Sequence, residues 1–260
     1  MANSPKRSTG TQAVDRAADL LVEVLKSEKP VTFSYLTSKS GLAKGTASRL
    51  ISALERNGLL QRNKKGEIET GITINQFASR VTSISRLVSK LQPVMRQIGS
   101  ETGETVSLAI AGNDAVENIA QIDAKYLLSS RNWVGQKVPF HASAAGKILL
   151  AFQDLDLSKL KLEKLTGVTI TSRNQLDKEI SKVREMGYAT IIDELEIGLV
   201  AISVSVKNEI GEVIAALSVS GPSTRLNQTR IKEIINLLIK YSKHLDLSNI
   251  EKNENNRGAA

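Results

Sequence analysis

Between Phe33 and Asn57 the chain reads as a short helix, a glycine turn and a longer amphipathic helix, and this arrangement constrains the rest of the first third. Thr32 stands where a helix over roughly Phe33–Lys39 needs its N-cap, and Gly41 marks the tight turn. The next helix is expected over Lys44–Asn57. Ala47, Leu50, Ile51 and Leu54 recur on its inward face at the 3.6-residue period, and Gly58 is a natural C′ residue. A helix over Thr11–Lys26 precedes the pair, with Val14, Ala17, Ala18, Leu21, Val24 and Leu25 on one face. Leu59 to Gly71 follows, as two short strands around a basic, glycine-containing tip.

Helix, tight turn, helix sets the second helix at a steep angle with its polar face outward, the form that enters a DNA major groove. The candidate contact residues are Ser34 on the first helix and Lys44, Gly45, Thr46, Ser48, Arg49 and Ser52 on the second. Short hydroxyls and cations reach phosphates and base edges. Arg62, Lys64 and Lys65 make the tip a wing for the neighbouring backbone or minor groove. Charge agrees with this reading. Residues 1–80 hold 13 Lys and Arg against 7 Asp and Glu, whereas the other 180 hold 22 against 20. An excess of cations concentrated beside such a helix suits a phosphate partner.

Residues 75–100 are again helical in pattern and contain Pro93, which predicts a kink or two helices. Beyond them strands and helices alternate. Thr105–Ile110 and Ala115–Ile122 flank a Gly-Asn-Asp hairpin signal, and Val200–Val206 and Val213–Ser220 form a second hairpin. Ala144–Phe152, Asn174–Met186 (with Ser172 as a possible cap) and Gln228–Leu245 read as helices. The fold class expected is α+β: a winged helix-turn-helix over 11–73, a linker helix over 74–92, and a mixed α/β domain over 93–247. Residues 1–10 and 248–260 read as disordered tails.

The chain has no cysteine, which excludes disulfides, thiol catalysis and Cys-ligated zinc. Its two histidines, His141 and His244, lack ligand-spaced companions, so no metal and no cofactor are expected, and His141 is read as a structural hydrogen-bonding residue. Gly146-Lys147 lacks the rest of a P-loop, and no Gly-x-Ser-x-Gly occurs. Asp193, Glu194 and Glu196 form a carboxylate cluster without a partner base, read as a solvated rim or a set of hydrogen bonds. These absences point away from an enzyme. No apolar run is long enough to span a bilayer and no secretory leader opens the chain, so a cytoplasmic protein is expected.

Gly41-Leu42-Ala43-Lys44-Gly45-Thr46-Ala47-Ser48-Arg49-Leu50-Ile51, followed by Leu54 to Leu59, resembles the recognition segment of IclR-type regulators. The resemblance continues through Glu101–Val106, Pro139–Lys147, Gly187-Tyr188-Ala189 and Ala216–Pro222, and so covers about residues 11–245. It implies that the domain over 93–247 is a GAF-like effector-binding domain, and that the chain is a transcriptional regulator, most often a repressor, that binds a palindromic double-stranded operator as a homodimer or a dimer of dimers. A small effector in the second domain would modulate operator binding. Two alternatives stay open: a regulator of this fold with a vestigial effector domain, and a ligand-binding or enzymatic module with an accessory nucleic-acid domain.

The resemblance also maps an effector site. Ala144 and Ala145 would supply backbone donors at a helix start, and Ser218 and Ser220 hydroxyls on one face of a strand. Trp133 lies near the expected mouth. Where the family commonly carries two Asp, this chain has Ile191 and Ile192, and its Gly-Leu-Arg-Cys becomes Gly198-Leu199-Val200-Ala201. Ile191, Leu199 and Ala201 therefore make the expected site less polar than the family's usual one, and the expected effector likewise.

Overall fold

The computed structural model describes residues 11–126, 131–156, 158, 160–243 and 245. Residues 1–10, 248–260 and His244 lie outside them. The chain divides into two compact units, Met1–Thr82 and Ser83–Ala260.

In the first unit, α1 (Gln12–Lys26), α2 (Phe33–Ser40) and α3 (Lys44–Arg56) are followed by the antiparallel pair β1 (Leu60–Arg62) and β2 (Ile68–Thr70). The helix ends follow from their caps. Thr32 Oγ1 accepts the Tyr35 amide at 3.2 Å, and Gly41 turns the chain at φ 65°. At the end of α3, Gly58 N–H donates to Glu55 O and Leu59 N–H to Leu54 O, with Gly58 at φ 66°. This double closure satisfies carbonyls that the helix end leaves open.

The core of this unit joins Leu20, Val24, Leu36, Ile51, Leu54, Leu60 and Ile68. Of the face expected for α1, Ala17, Leu21 and Val24 pack here, and the rest is corrected. Leu20 is 1% exposed, whereas Val14 is 69% and Leu25 47% exposed. The helix carries two apolar stripes about 100° apart, and tertiary packing selects Ala17–Leu20–Val24, leaving Val14–Ala18–Leu25 outside.

Helix α4 (Ile72–Thr102) runs through Pro93 as one element, so of the expected kink or two helices the second does not occur. An interior proline costs about 3 kcal/mol. Leu91, Met95 and Ile98, buried on either side of it, each return about 1.5–3 kcal/mol. Leu87 and Leu91, read from sequence as linker, pack into the second core.

The second unit is built on a six-stranded antiparallel sheet of order β5-β4-β3-β8-β7-β6. The strands are β3 (Thr105–Ala111), β4 (Val116–Ile122), β5 (Lys137–Val138), β6 (Tyr188–Ile192), β7 (Leu199–Lys207) and β8 (Val213–Pro222). Strands β5 and β6 were not expected. The later turns of α4 and helix α7 (Gln228–Lys243) pack on one face, around Val106, Leu108, Ile202, Leu217 and Val219. Helices α5 (Ala144–Phe152) and α6 (Arg173–Met186) cover the other, around Ala109, Ile191, Ala201 and Ala216. Helix α7 ends before the expected Leu245. Ser172 holds the N-cap position of α6 without a side-chain capping bond.

Candidate DNA-contacting surface and effector site

Helix α3 buries Ala47, Ile51 and Leu54 and thereby turns Lys44, Gly45, Ser48 and Arg49 to solvent, with Thr46 and Ser52 half-buried. Ser34 is exposed on α2. Ala43, at the N-cap of α3, offers no capping side chain. The first-turn amides of Lys44 and Gly45 therefore open outward, where a phosphate can accept them.

The wing is organised by Asn63, which sequence reasoning passed over. Its Oδ1 accepts the amides of Lys65 at 2.9 Å and Glu67 at 3.1 Å, and its Nδ2 donates to Glu67 Oε2 at 2.8 Å. The Asn-Lys-Lys-Gly order was the available signal. Lys64 and Lys65 stand exposed at the tip. Arg62 behaves differently from them. Its Nε lies 2.9 Å from Glu55 Oε1, and its Nη1 donates to Gly66 O at 3.3 Å. It ties the wing to the end of α3.

In the second unit the register puts Thr105, Ser220, Ala201 and Ile191 in one row across β3, β8, β7 and β6. Leu199, two residues before Ala201, shares its face of β7. Ala144 and Ala145, almost wholly buried at the start of α5, join the same apolar cluster as Ile191 and Ala201. Ser143 Oγ accepts the Gly146 amide at 3.1 Å and Ser143 O the Lys147 amide at 3.0 Å. The amides of Ala144 and Ala145 precede the first intrahelical bond. Ser218 and Ser220 share a face, as expected, but the Ser218 hydroxyl donates to Ser203 Oγ at 2.9 Å, which donates to Leu217 O at 3.2 Å. Its proton is thus spent within the sheet.

Trp133 packs against this cluster with the Arg131 guanidinium 4.1 Å from its ring centroid. Gln121 holds the segment: its Oε1 accepts the Trp133 amide at 3.1 Å, and its Nε2 donates to Arg131 O at 3.3 Å.

Of the carboxylate cluster, Glu194 is a hydrogen-bonding group and not a solvated rim: Lys147 Nζ, wholly buried, donates to its Oε1 at 2.7 Å, to Glu179 at 3.2 Å and to Thr190 O at 3.3 Å. Burial pushes the Glu194 carboxyl above its ordinary range, Lys147 pulls it down, and Glu179 raises it further. Asp193 sits at φ 62°, with its Oδ1 accepting the Gly198 amide at 2.7 Å. His141 is buried and its Nε2 lies 2.9 Å from Glu163 O. A lone lysine inside the otherwise apolar Ala144–Phe152 was the signal for the Lys147 cluster.

A further pair was missed. Glu104, 3% exposed, takes both Arg225 Nε and Nη2 at 2.6 Å, and the Arg225 guanidinium stacks 4.3 Å from the Tyr126 ring centroid. A Cβ at Gly221 would lie 2.5 Å from Glu104 Oε2, so this pair needs a glycine there.

The chain matches the IclR helix-turn-helix domain over residues 13–64 and the bacterial transcriptional regulator IclR C-terminal family over residues 78–247. The chain belongs to the IclR family. It is 31% identical over 233 residues to the HTH-type transcriptional repressor AllR of Escherichia coli strain K12, covering 87% of this chain and 86% of AllR. The crystal structure of the Thermotoga maritima IclR has a TM-score of 0.60 at 25% identity, covering 90% of this chain and 96% of that one. An IclR homologue from Microbacterium hydrocarbonoxydans, crystallised with 4-hydroxybenzoate, shares the fold with a TM-score of 0.58 at 24% identity, over 89% of this chain and 96% of that one. Both halves of the IclR architecture, the helix-turn-helix unit and the mixed α/β unit, are present in this chain. No helix among the described residues is long and apolar enough to cross a membrane.

Proposed function

We propose that this IclR-family regulator is a repressor that binds a palindromic duplex operator through α3 and the wing, and that an effector in the second unit modulates the binding. The observation that carries the first part is the division of α3. Its apolar side is spent on the core, and its outer side presents Lys44, Gly45, Ser48 and Arg49 beside the exposed Lys64 and Lys65. AllR, by its name a repressor, supports the sign of control.

The palindrome requires a homodimer. Ile74, Phe77 and Val81 recur on α4 at spacings of three and four, the pattern of a helix seam, and Phe77 is 69% and Val81 45% exposed. The unused stripe of α1, Val14 and Leu25, adds apolar surface in the same unit. A second copy of the chain is the occupant we assign to this surface.

The effector we propose is a small organic acid of lower polarity than an oxo-acid. Ile191, Leu199 and Ala201 offer it no charge, while the amides opening α5 suit a carboxylate. The 4-hydroxybenzoate of the Microbacterium relative is of this kind. A cytoplasmic location and the absence of catalysis complete the reading.

The test is selection of bound sequences from a random duplex pool by the full-length protein. Recovery of a palindromic consensus is expected, and an unselected pool bound as tightly as the survivors would overturn specific recognition.

A further inference from the structure

The two faces of the six-stranded sheet are built from different side chains. Toward α4 and α7 they are large: Val106, Leu108, Leu217 and Val219 are fully buried there. Toward α5 those of the two central strands β3 and β8 are small. Strand β3 presents Thr105, Ser107 and Ala109, and β8 presents Ala216, Ser218 and Ser220. Small residues alone do not make a site, but one of these has no satisfied chemistry. Thr105 is 0% exposed, and its Oγ1 has no hydrogen-bond partner among the described residues. One row away, by contrast, the Ser218 hydroxyl donates to Ser203 Oγ and the Ser203 hydroxyl to Leu217 O. A buried hydroxyl without a partner is costly, and natural cores rarely keep one without use.

The neighbours of Thr105 define what would satisfy it. It pairs across the sheet with Ser220, Ser220 with Ala201, and Ala201 with Ile191. The row carries no charge, so an ion seated in it would be uncompensated, whereas a neutral hydroxyl can both donate and accept. The position of Thr105 is also fixed in advance, because the preceding Glu104 is clamped by two 2.6 Å bonds from Arg225.

We infer that Thr105 is a specificity-determining residue of the effector site, and that its hydroxyl bonds the neutral hydroxyl of an organic acid whose carboxylate lies at the start of α5. The inference rests on the proposed effector site and names a contact within it. It assigns the effector to hydroxylated acids with an apolar body between the two polar ends.

The test is calorimetric titration of the full-length protein with 4-hydroxybenzoate and with benzoate, which differ only in that hydroxyl. The wild type should prefer 4-hydroxybenzoate by about three- to tenfold, the range of one net hydrogen bond. Thr105→Val removes the hydroxyl at nearly constant shape. It should erase the preference while unfolding at or above the wild-type midpoint. A Thr105→Val variant that keeps the preference overturns the inference, as does one that unfolds well below wild type, since its hydroxyl would then already be bonded. Binding of neither acid to the wild type overturns the assigned class. Ser220→Leu separates the two levels: it should lose both acids, and unchanged binding of both would remove the site itself.

Discussion

Lys147 Nζ lies 2.7 Å from Glu194 Oε1 and 3.2 Å from Glu179 Oε1, with the lysine side chain wholly out of solvent. The cluster joins α5 to α6 and to the turn after β6, and removing one member strands the others. Lys147→Met should cost about 3–5 kcal/mol, read from urea unfolding, and pairing it with Glu194→Leu should restore most of the loss. The deficit should also depend on pH. A carboxyl raised in the folded state holds its proton more tightly there, so it favours folding as pH falls through its range. Without Lys147 the rise of Glu194 grows. The deficit should therefore narrow as pH drops from neutral toward the ordinary carboxylate value of 4.5. A deficit constant over that window would show that Glu194 is not the stranded charge.

On α3, Lys44→Ala and Arg49→Ala remove exposed side chains whose loss opens no cavity. Each should weaken operator binding by about tenfold and reduce the slope of log affinity against log salt by about one. Fluorescence anisotropy across a salt series measures both, and unaltered affinity in the two variants would place recognition elsewhere.

The wing basic residues should divide into two kinds. Lys64→Gln with Lys65→Gln removes exposed tip charges and should weaken DNA binding more than Arg62→Gln, because Arg62 is already engaged by Glu55 and Gly66 O. Arg62→Gln should change stability by no more than about 1 kcal/mol. A larger effect of Arg62→Gln on DNA affinity would mean that this side chain leaves Glu55 for the phosphate.

Phe77→Asp and Val81→Asp place charge on the exposed stripe of α4. Sedimentation equilibrium should report dimers for the wild type and monomers for the variants, and affinity for a palindrome should fall to that for a half-site. Dimers that persist in both variants would move the interface to another surface.

What could be read in the sequence follows the range over which each feature is decided. Caps are local, so Thr32, Gly41 and Gly58 marked their helix ends correctly. The turn beside Gly112 is equally local, and its hairpin was legible. The buried stripe of α1 was legible only in part: Ala17, Leu21 and Val24 were read and Leu20 was not, because two apolar stripes compete on one helix and only packing against α3 and β2 chooses between them. Whether Pro93 would divide the helix was not legible for a related reason: the local penalty is real, and long-range burial of Leu91, Met95 and Ile98 overrides it. Glu104 and Arg225 meet across 121 positions, a separation at which no periodicity operates. Arg62 was recognised as a basic wing residue, but its pairing with Glu55 depends on how β1 leaves α3, which residue type cannot express.

The sheet of the second unit reads as two messages on alternate letters. Along β8, Ala215, Leu217 and Val219 address the α7 side, while Ala216, Ser218 and Ser220 address the α5 side. Substitutions in the second set leave the first set's packing in place. On the proposed effector assignment, a lineage of such proteins can exchange one signal molecule for another by rewriting every second residue, and the scaffold that reports the signal is inherited unaltered.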